Sequence, residues 1–474
     1  VRRLATTVQY GKAILVASVI TATTAGAQDN DDTARVEDEY GGVYEGTLQD
    51  GERHGRGVYT LPSGFEYSGE WVDGKIQGRG VARYADEVVY EGEFADGRPH
   101  GSGRIVFADG GTYEGEWKEG VIEGEGIAAY ANGVVYEGGF RDTRHHGFGV
   151  LRDPSGFVYE GEWVDGLREG NGKSVHSDGS VYEGELVAGL NHGTGTFTAP
   201  DGLVYEGEWA DGTMHGTGRL TQPNGDVYEG EFAEGKRQGR GQAVYSNGDV
   251  YEGEFRDDRR HGTGTITYAG GGDYSGEWAN GRFGGTGRRV YPDGSVLEGS
   301  FSGELAEGHG KIVYPDGSTY EGAWKAGVIE GEGIARYSGG IVYDGEFLNA
   351  LYHGRGKIVY PDGFQYDGEW AGGRREGSGT TVYANGGTYT GGHRDGKPHG
   401  RGELRMPDGF LYSGQWRNGE MHGQGTVTYS SGDVYEGSLF GNARHGIGIL
   451  RYATGETAEG RWENGVLVEE RVAQ

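Results

Sequence analysis

The chain has 474 residues, of which 101 are Gly, 10 are Pro and none is Cys, while 32 Tyr, 15 Phe and 9 Trp bring the aromatic share to 12%. Collagen is excluded, because its Gly recurs every third residue with abundant Pro; so is a solvated coil, which carries few aromatics, and so are disulfides, thiolate zinc sites and cysteine nucleophiles. With 43 Lys+Arg against 73 Asp+Glu the formal charge is −30, a surface that repels nucleic acid and anionic bilayers.

Residues 1–27 differ from the rest. They hold Arg2, Arg3 and Lys12, no acid, an apolar run Ala13–Ile20, and an end at Ala25-Gly26-Ala27. A basic start, a short apolar core and an A-x-A end describe a secretory signal peptide, the alternative being a disordered or amphipathic tail. The run is too short for a permanent membrane-spanning helix, so none is expected in the mature chain. The chain opens on Val, which fits translation from an alternative bacterial start codon. The expectation is an exported bacterial protein, periplasmic or envelope-associated. Residues 28–43 read as an acidic linker.

From Tyr44 the chain repeats every 23 residues, and nineteen units fill 44–474 without insertion or deletion, the last one truncated. The anchor is Tyr in seventeen units, Leu297 and Ala458 being the exceptions, and the residue at +2 is Gly in all nineteen. All nine Trp fall at +4, at 71, 117, 163, 209, 278, 324, 370, 416 and 462, the other units carrying Phe, Leu or His393 there. Gly also recurs at +11 and +13 in all but the last unit.

The unit Tyr205–Val227 shows what this spacing implies. Tyr205, Gly207 and Trp209 share one face of a strand, with Glu206 and Glu208 on the other. After a turn at Asp211-Gly212, Gly216, Gly218 and Leu220 share a face. A second turn carries signals such as Pro315-Asp316-Gly317. Each unit is therefore a β-hairpin, and its Gly columns are empty strand positions over which a ring can lie. The fold class expected is all-β: an elongated, twisted single-layer antiparallel sheet of stacked hairpins, about 180 Å long at about 4.8 Å per strand. Trp in alternate units and the recurrence of Val121–Ala128 as Val328–Ala335 suggest a nine-unit duplication, 67–273 and 274–474. Two irregular places, Leu297 with Gly303-Glu304 and Thr390 with Gly392-His393, are candidate kinks.

Units of the form Y-E-G-E-W-x-x-G-x-x-H-G-x-G resemble the MORN (membrane occupation and recognition nexus) repeat over residues 44–474. The resemblance implies a single-layer antiparallel sheet of hairpins. It also implies company among phospholipid-associated proteins, dimeric scaffolds, and proteins in which such arrays sit beside lipid kinase or lysine methyltransferase domains. Only 43 residues of this chain lie outside the array, too few for an enzyme domain.

Three columns imitate chemistry. His occupies +10 in ten units, from His54 and His100 to His445. Equivalent positions stand about 9.6 Å apart, whereas zinc ligands must approach to about 2.1 Å, and Gln77, Glu123 or Gln238 replace His; the column reads as turn packing. The Glu residues at +1 and +3 have no concavity to separate two pKa values and read as a solvated face. Asp-Gly turns lack the nonapeptide calcium repeat. No catalytic, cofactor or metal site is therefore expected. The aromatic stripe, expected to stay partly exposed in a one-layer sheet, supplies the candidate partner or ligand surface: Trp71, Trp117, Trp163, Trp209, Trp278, Trp324, Trp370, Trp416, Tyr205 and Tyr320. The function expected is a non-catalytic scaffold or protein-protein interaction module, self-associating or partner-binding, the alternative being an envelope lipid- or glycan-binding module.

Overall fold

A computed structural model describes residues 33–471; the expected signal peptide lies outside the described residues. Every regular element among them is a strand, and the 39 strands form one antiparallel sheet in which each pairs with its neighbours in sequence. The sheet is open: Thr33–Glu37 pairs with Val43–Gln49 at one edge, and Val466–Glu470 with Thr457–Glu463 at the other. The chain divides at Arg237/Gln238 into two compact units, each built from the same hairpins. The segment expected to be a linker thus supplies the first strand, whose Val36 stands opposite Tyr44.

One repeat is a seven-residue strand, a two-residue turn, a nine-residue strand and a five-residue link, as in Val204–Ala210 and Thr213–Thr221. At the tight turn Asp211 and Gly212 both take positive φ, 48° and 81°. That is the type I′ geometry, which matches strand twist. Gly303-Glu304 solves the same turn differently: only Gly303 is left-handed, at 64°, as a type II′ turn requires. The wide link is a type I turn closed by a left-handed Gly. Gly317 N donates to Tyr314 O (2.9 Å), Tyr314 N to Ser318 O (2.8 Å), and the Asp316 carboxylate accepts from Ser318 N (2.8 Å).

The Gly columns divide into two kinds. Gly207 and Gly218 face each other across the hairpin, and the Tyr205 ring lies over them with its hydroxyl donating to Glu208 O at 2.8 Å. The Gly at +11 has a different task from the one expected. Gly216 takes φ 55° inside a β-bulge that shifts the register between Gly207 and Glu208, a conformation favouring a residue without Cβ. Neither candidate kink interrupts pairing. Leu297 fills the anchor slot and His393 the Trp slot, both buried, in continuous ladders.

Candidate functional site

Trp209 folds back onto the preceding hairpin. Its Nε1 donates to Gly195 O at 3.1 Å, and its indole stands edge-on to Tyr182 (5.3 Å) and Tyr205 (5.1 Å). The same bond, fourteen residues back, is made by Trp71, Trp117, Trp163, Trp278, Trp324, Trp370, Trp416 and Trp462 at 2.9–3.4 Å. Edge-to-face aromatic pairs contribute about 0.5–1.5 kcal/mol beyond their buried area. The result is a continuous seam within each compact unit.

The seam is covered, which corrects the expectation of a partly exposed stripe. None of Trp71, Trp117, Trp163, Trp209, Trp278, Trp324, Trp370 and Trp416 is more than 9% exposed, and Tyr205 and Tyr320 are buried. Burial pushes the Tyr205 phenol up to about 12. The cover comes from the residue at +9, which the bulge turns back over the anchor of its own unit. Phe283 stacks on Tyr274 at 3.7 Å, Tyr352 on Tyr343 at 3.8 Å and His145 on Tyr136 at 3.6 Å. Arg260 lies 4.3 Å from the Trp278 ring and donates to Gly281 O at 3.0 Å, closing over the seam and stapling the next tight turn together. A one-layer sheet can therefore bury a core within itself.

This covering column escaped sequence reasoning because its chemistry varies: Arg, Ile, Pro, Met, Phe, Tyr and His all occur. A signal was present nonetheless. None of the nineteen +9 residues is an acid, in a chain with 73 of them.

The polar columns hold backbone. At +10, Gln77 Oε1 accepts from Asp96 N (3.0 Å), Glu169 Oε2 from Ala188 N (2.9 Å), and His399 Nδ1 from Asn418 N (3.4 Å). Each is a side-chain acceptor for the left-handed residue of the next tight turn. That shared role explains why His, Gln and Glu interchange. At +3, the Glu208 carboxylate accepts from Thr217 N (2.9 Å) and Thr217 Oγ1 (2.6 Å), capping the bulge. Those bonds hold Glu208 below the ordinary carboxylate range, as equivalent bonds from Thr194, Thr263 and Thr286 do for Glu185, Glu254 and Glu277. This face of the first compact unit carries an open groove of about 1370 Å³ in which Glu45, Glu70 and Glu91 alternate with Arg56, Arg79 and Arg104 over bare Gly backbone. Among the described residues no group of three His, Asp or Glu is placed to hold a metal, and no helix is long and apolar enough to cross a membrane.

Comparison with solved structures finds likeness at low identity. The TCP domain of Drosophila melanogaster SAS-4 in complex with a proline-rich motif of Ana2 is 17% identical over 36% of this chain and 86% of that one, with a TM-score of 0.22. The TCP10 domain of Danio rerio CPAP in complex with a STIL peptide is 15% identical over 58% and 97%, with a TM-score of 0.15. A streptogramin B lyase is 14% identical over 61% and 90%, with a TM-score of 0.11. No curated protein matches the chain. The MORN repeat model matches eighteen times in tandem, from 44–65 through 205–227 to 435–457. With that match covering most of its length, and with hairpins of the matching period, the chain belongs to the MORN repeat family.

Proposed function

We propose that this chain is a non-catalytic repeat scaffold that engages protein partners, a second copy of itself included. The observation that carries the reading is the role of its polar columns. His399 and the +3 carboxylates such as Glu208 are engaged with turn and bulge backbone, +1 carboxylates such as Glu45 and Glu183 pair with basic side chains on the open face, and the aromatic seam is spent on the core. Regular, rigid edges and faces are what such an array offers, and contact along them needs no reacting group. In this reading the Trp and Tyr columns support the contact surface from beneath. Export belongs to the proposal on the strength of the leader-like residues 1–27, and N-terminal sequencing of the secreted product tests it.

The experiment for the scaffold is size-exclusion chromatography with light scattering on residues 28–474 across a range of concentrations. A concentration-dependent dimer or larger assembly supports the reading. A monomer throughout, combined with saturable binding to phosphatidylcholine vesicles or to cell-wall glycan, overturns it in favour of a lipid or glycan module.

A further inference from the structure

The second compact unit carries a feature that the repeat itself does not require. The first residue of the wide link is Tyr in nine of the ten links that begin between Tyr245 and Tyr452, the exception being Met406. In the nine links of the first unit, the first of which begins at Asp38, it is Tyr only twice, with Asp153, His176, Ala199 and Gln222 in succession. These rings border the seam: Tyr314, Tyr337 and Tyr452 are 36%, 42% and 39% exposed, Tyr360 is half-buried, and Tyr383 and Tyr429 are half-buried with one side against the core. They stand on the seam face at its outer edge, where Tyr337 accepts a 2.7 Å hydrogen bond from the Tyr352 hydroxyl. Phe364 sits between Tyr360 (5.4 Å) and Tyr383 (6.3 Å).

The rungs keep a regular step. Equivalent residues of successive hairpins are two strands apart, about 9.6 Å. The wide links do not splay, since Ser338 N donates to Ser318 Oγ at 3.0 Å, and Ala269 N and Ala453 N to the Asp249 and Asp433 carboxylates at 2.9 Å. A polyproline II helix advances about 9.3 Å per turn of three residues, so every third residue of such a segment meets the next ring. Charge adds a second condition on the occupant. The ten links hold seven acids, among them Asp293, Asp316, Asp362 and Asp408, and no Lys or Arg.

We infer that the tyrosine edge running through Tyr314, Tyr337, Tyr360 and Tyr383 is a docking site for a basic, proline-rich protein segment in the polyproline II conformation. Its prolines fill the gaps between rings, and its Arg or Lys side chains face the acidic links. Aromatic-lined surfaces read such segments because the conformation is preformed and loses little entropy on binding. The inference rests on the interaction-module reading and names the partner class for it.

The test is fluorescence anisotropy with the full chain and three labelled twelve-residue peptides: (Pro-Pro-Arg)4, a block peptide of eight Pro followed by four Arg, and (Ala-Ala-Arg)4. The expected result is saturable binding of the first at least about tenfold tighter than either control, a difference of about 1.4 kcal/mol. A paired Tyr314→Ala, Tyr360→Ala variant should lose that margin, while Tyr314→Phe, Tyr360→Phe keeps it within about threefold. Asp316→Asn with Asp362→Asn, which retains the turn acceptors, should weaken binding and flatten its salt dependence. Far-UV circular dichroism confirms each variant's fold. Equal binding of all three peptides, no saturable binding, or an alanine pair that binds like the parent overturns the inference. Assembly in light scattering without peptide binding rejects the tyrosine edge alone; loss of both rejects the interaction reading itself.

Discussion

The Trp209 indole donates to the carbonyl of Gly195 in the preceding hairpin at 3.1 Å, and Gly195 in turn pairs with Gly207 of the Trp209 strand. Each Trp is thereby fastened to the glycine backbone of its neighbour, so that side chain and ladder hold the same two hairpins. Repeat arrays owe their stability to such nearest-neighbour terms. The alternation of Trp with Phe makes the bond an addition to the packing, present in every second junction over most of the chain.

Trp209→Phe keeps a ring that six other units carry natively and loses the hydrogen bond. The expected cost is about 1 kcal/mol. Trp209→Ala empties the slot and should cost about 3–5 kcal/mol. Guanidinium denaturation gives the totals, and amide exchange should place the loss in the hairpins joined at Gly195. Equal costs for the two variants would mean that the ring contributes nothing beyond its indole N–H.

The glycine pairs make a sharper comparison. A Cβ on Gly218 would lie 2.5 Å from the Tyr205 hydroxyl and 2.6 Å from its ring, whereas one on Gly310, in the unit anchored by Leu297, would meet the edge of Trp324 at 3.2 Å. Gly218→Ala should therefore cost about 1–3 kcal/mol as an overpacked core does, and Gly310→Ala distinctly less. Thermal melts of the two variants decide it. A Gly310→Ala variant as damaged as Gly218→Ala would show that the columns are kept for backbone freedom and not for ring contact.

Left-handed turn positions test the backbone directly. Thr143 is held at φ 66° in the second place of a tight turn, and Glu87 at 68° where eighteen other wide links carry Gly. A β-branched residue in that region is strained. Thr143→Gly and Glu87→Gly should each stabilise by about 0.5–1 kcal/mol, the relief of strain exceeding the entropy that Gly adds to the unfolded chain. Thr213→Gly, in an ordinary strand position, should destabilise. A rise in melting temperature for all three, or for none, would contradict this account.

Much of this architecture was legible in the sequence because the repeat is in register. Tyr205, Gly207 and Trp209 fix a period of two, and Asp211-Gly212 fixes the turn; nineteen copies make the pattern unambiguous. The hairpins, their pairing and the single sheet follow from those columns. What was not legible depended on the third dimension. The bulge at Gly216 looks like one more empty strand position until its φ is known, and without the bulge Met214 or Arg260 has no reason to turn over an anchor Tyr. On the sequence alone a one-layer sheet therefore exposes its rings. The His column falls beside the turns, but the role of His399 as an acceptor for Asn418 N–H, shared by Gln77 for Asp96 N–H and Glu169 for Ala188 N–H, needs the next hairpin to be in place.

His393 joins the seam to pH. It occupies a Trp slot between Tyr366 (4.9 Å) and Tyr389 (5.1 Å), with Nδ1 3.2 Å from Gly391 O and Nε2 3.1 Å from Thr381 Oγ1. A carbonyl only accepts, so Nδ1 carries the proton and Nε2 accepts from the threonine. Burial first, then the nearby Arg375 charge, lower its pKa from 6.5 to about 4, the Gly391 hydrogen bond and then Glu376 acting the other way; burial lowers His145 to about 4 as well. Between those values the unfolded chain binds protons that the folded chain does not, so stability is full above about pH 6.5 and falls as pH drops toward 4. One such group contributes a slope approaching about 1.4 kcal/mol per pH unit. The carboxylates Glu208 and Glu254 act in a separate window: their folded pKa values are lowered, so their contribution is lost only below the ordinary carboxylate range. His393→Phe, which installs a residue native to that column, should leave pH 7 stability within about 1 kcal/mol and remove roughly half of the loss between pH 7 and pH 5, His145 accounting for the rest. Urea midpoints of both proteins at the two pH values measure it. An undiminished drop in the variant would place the acid sensitivity elsewhere and leave His393 a packing residue alone.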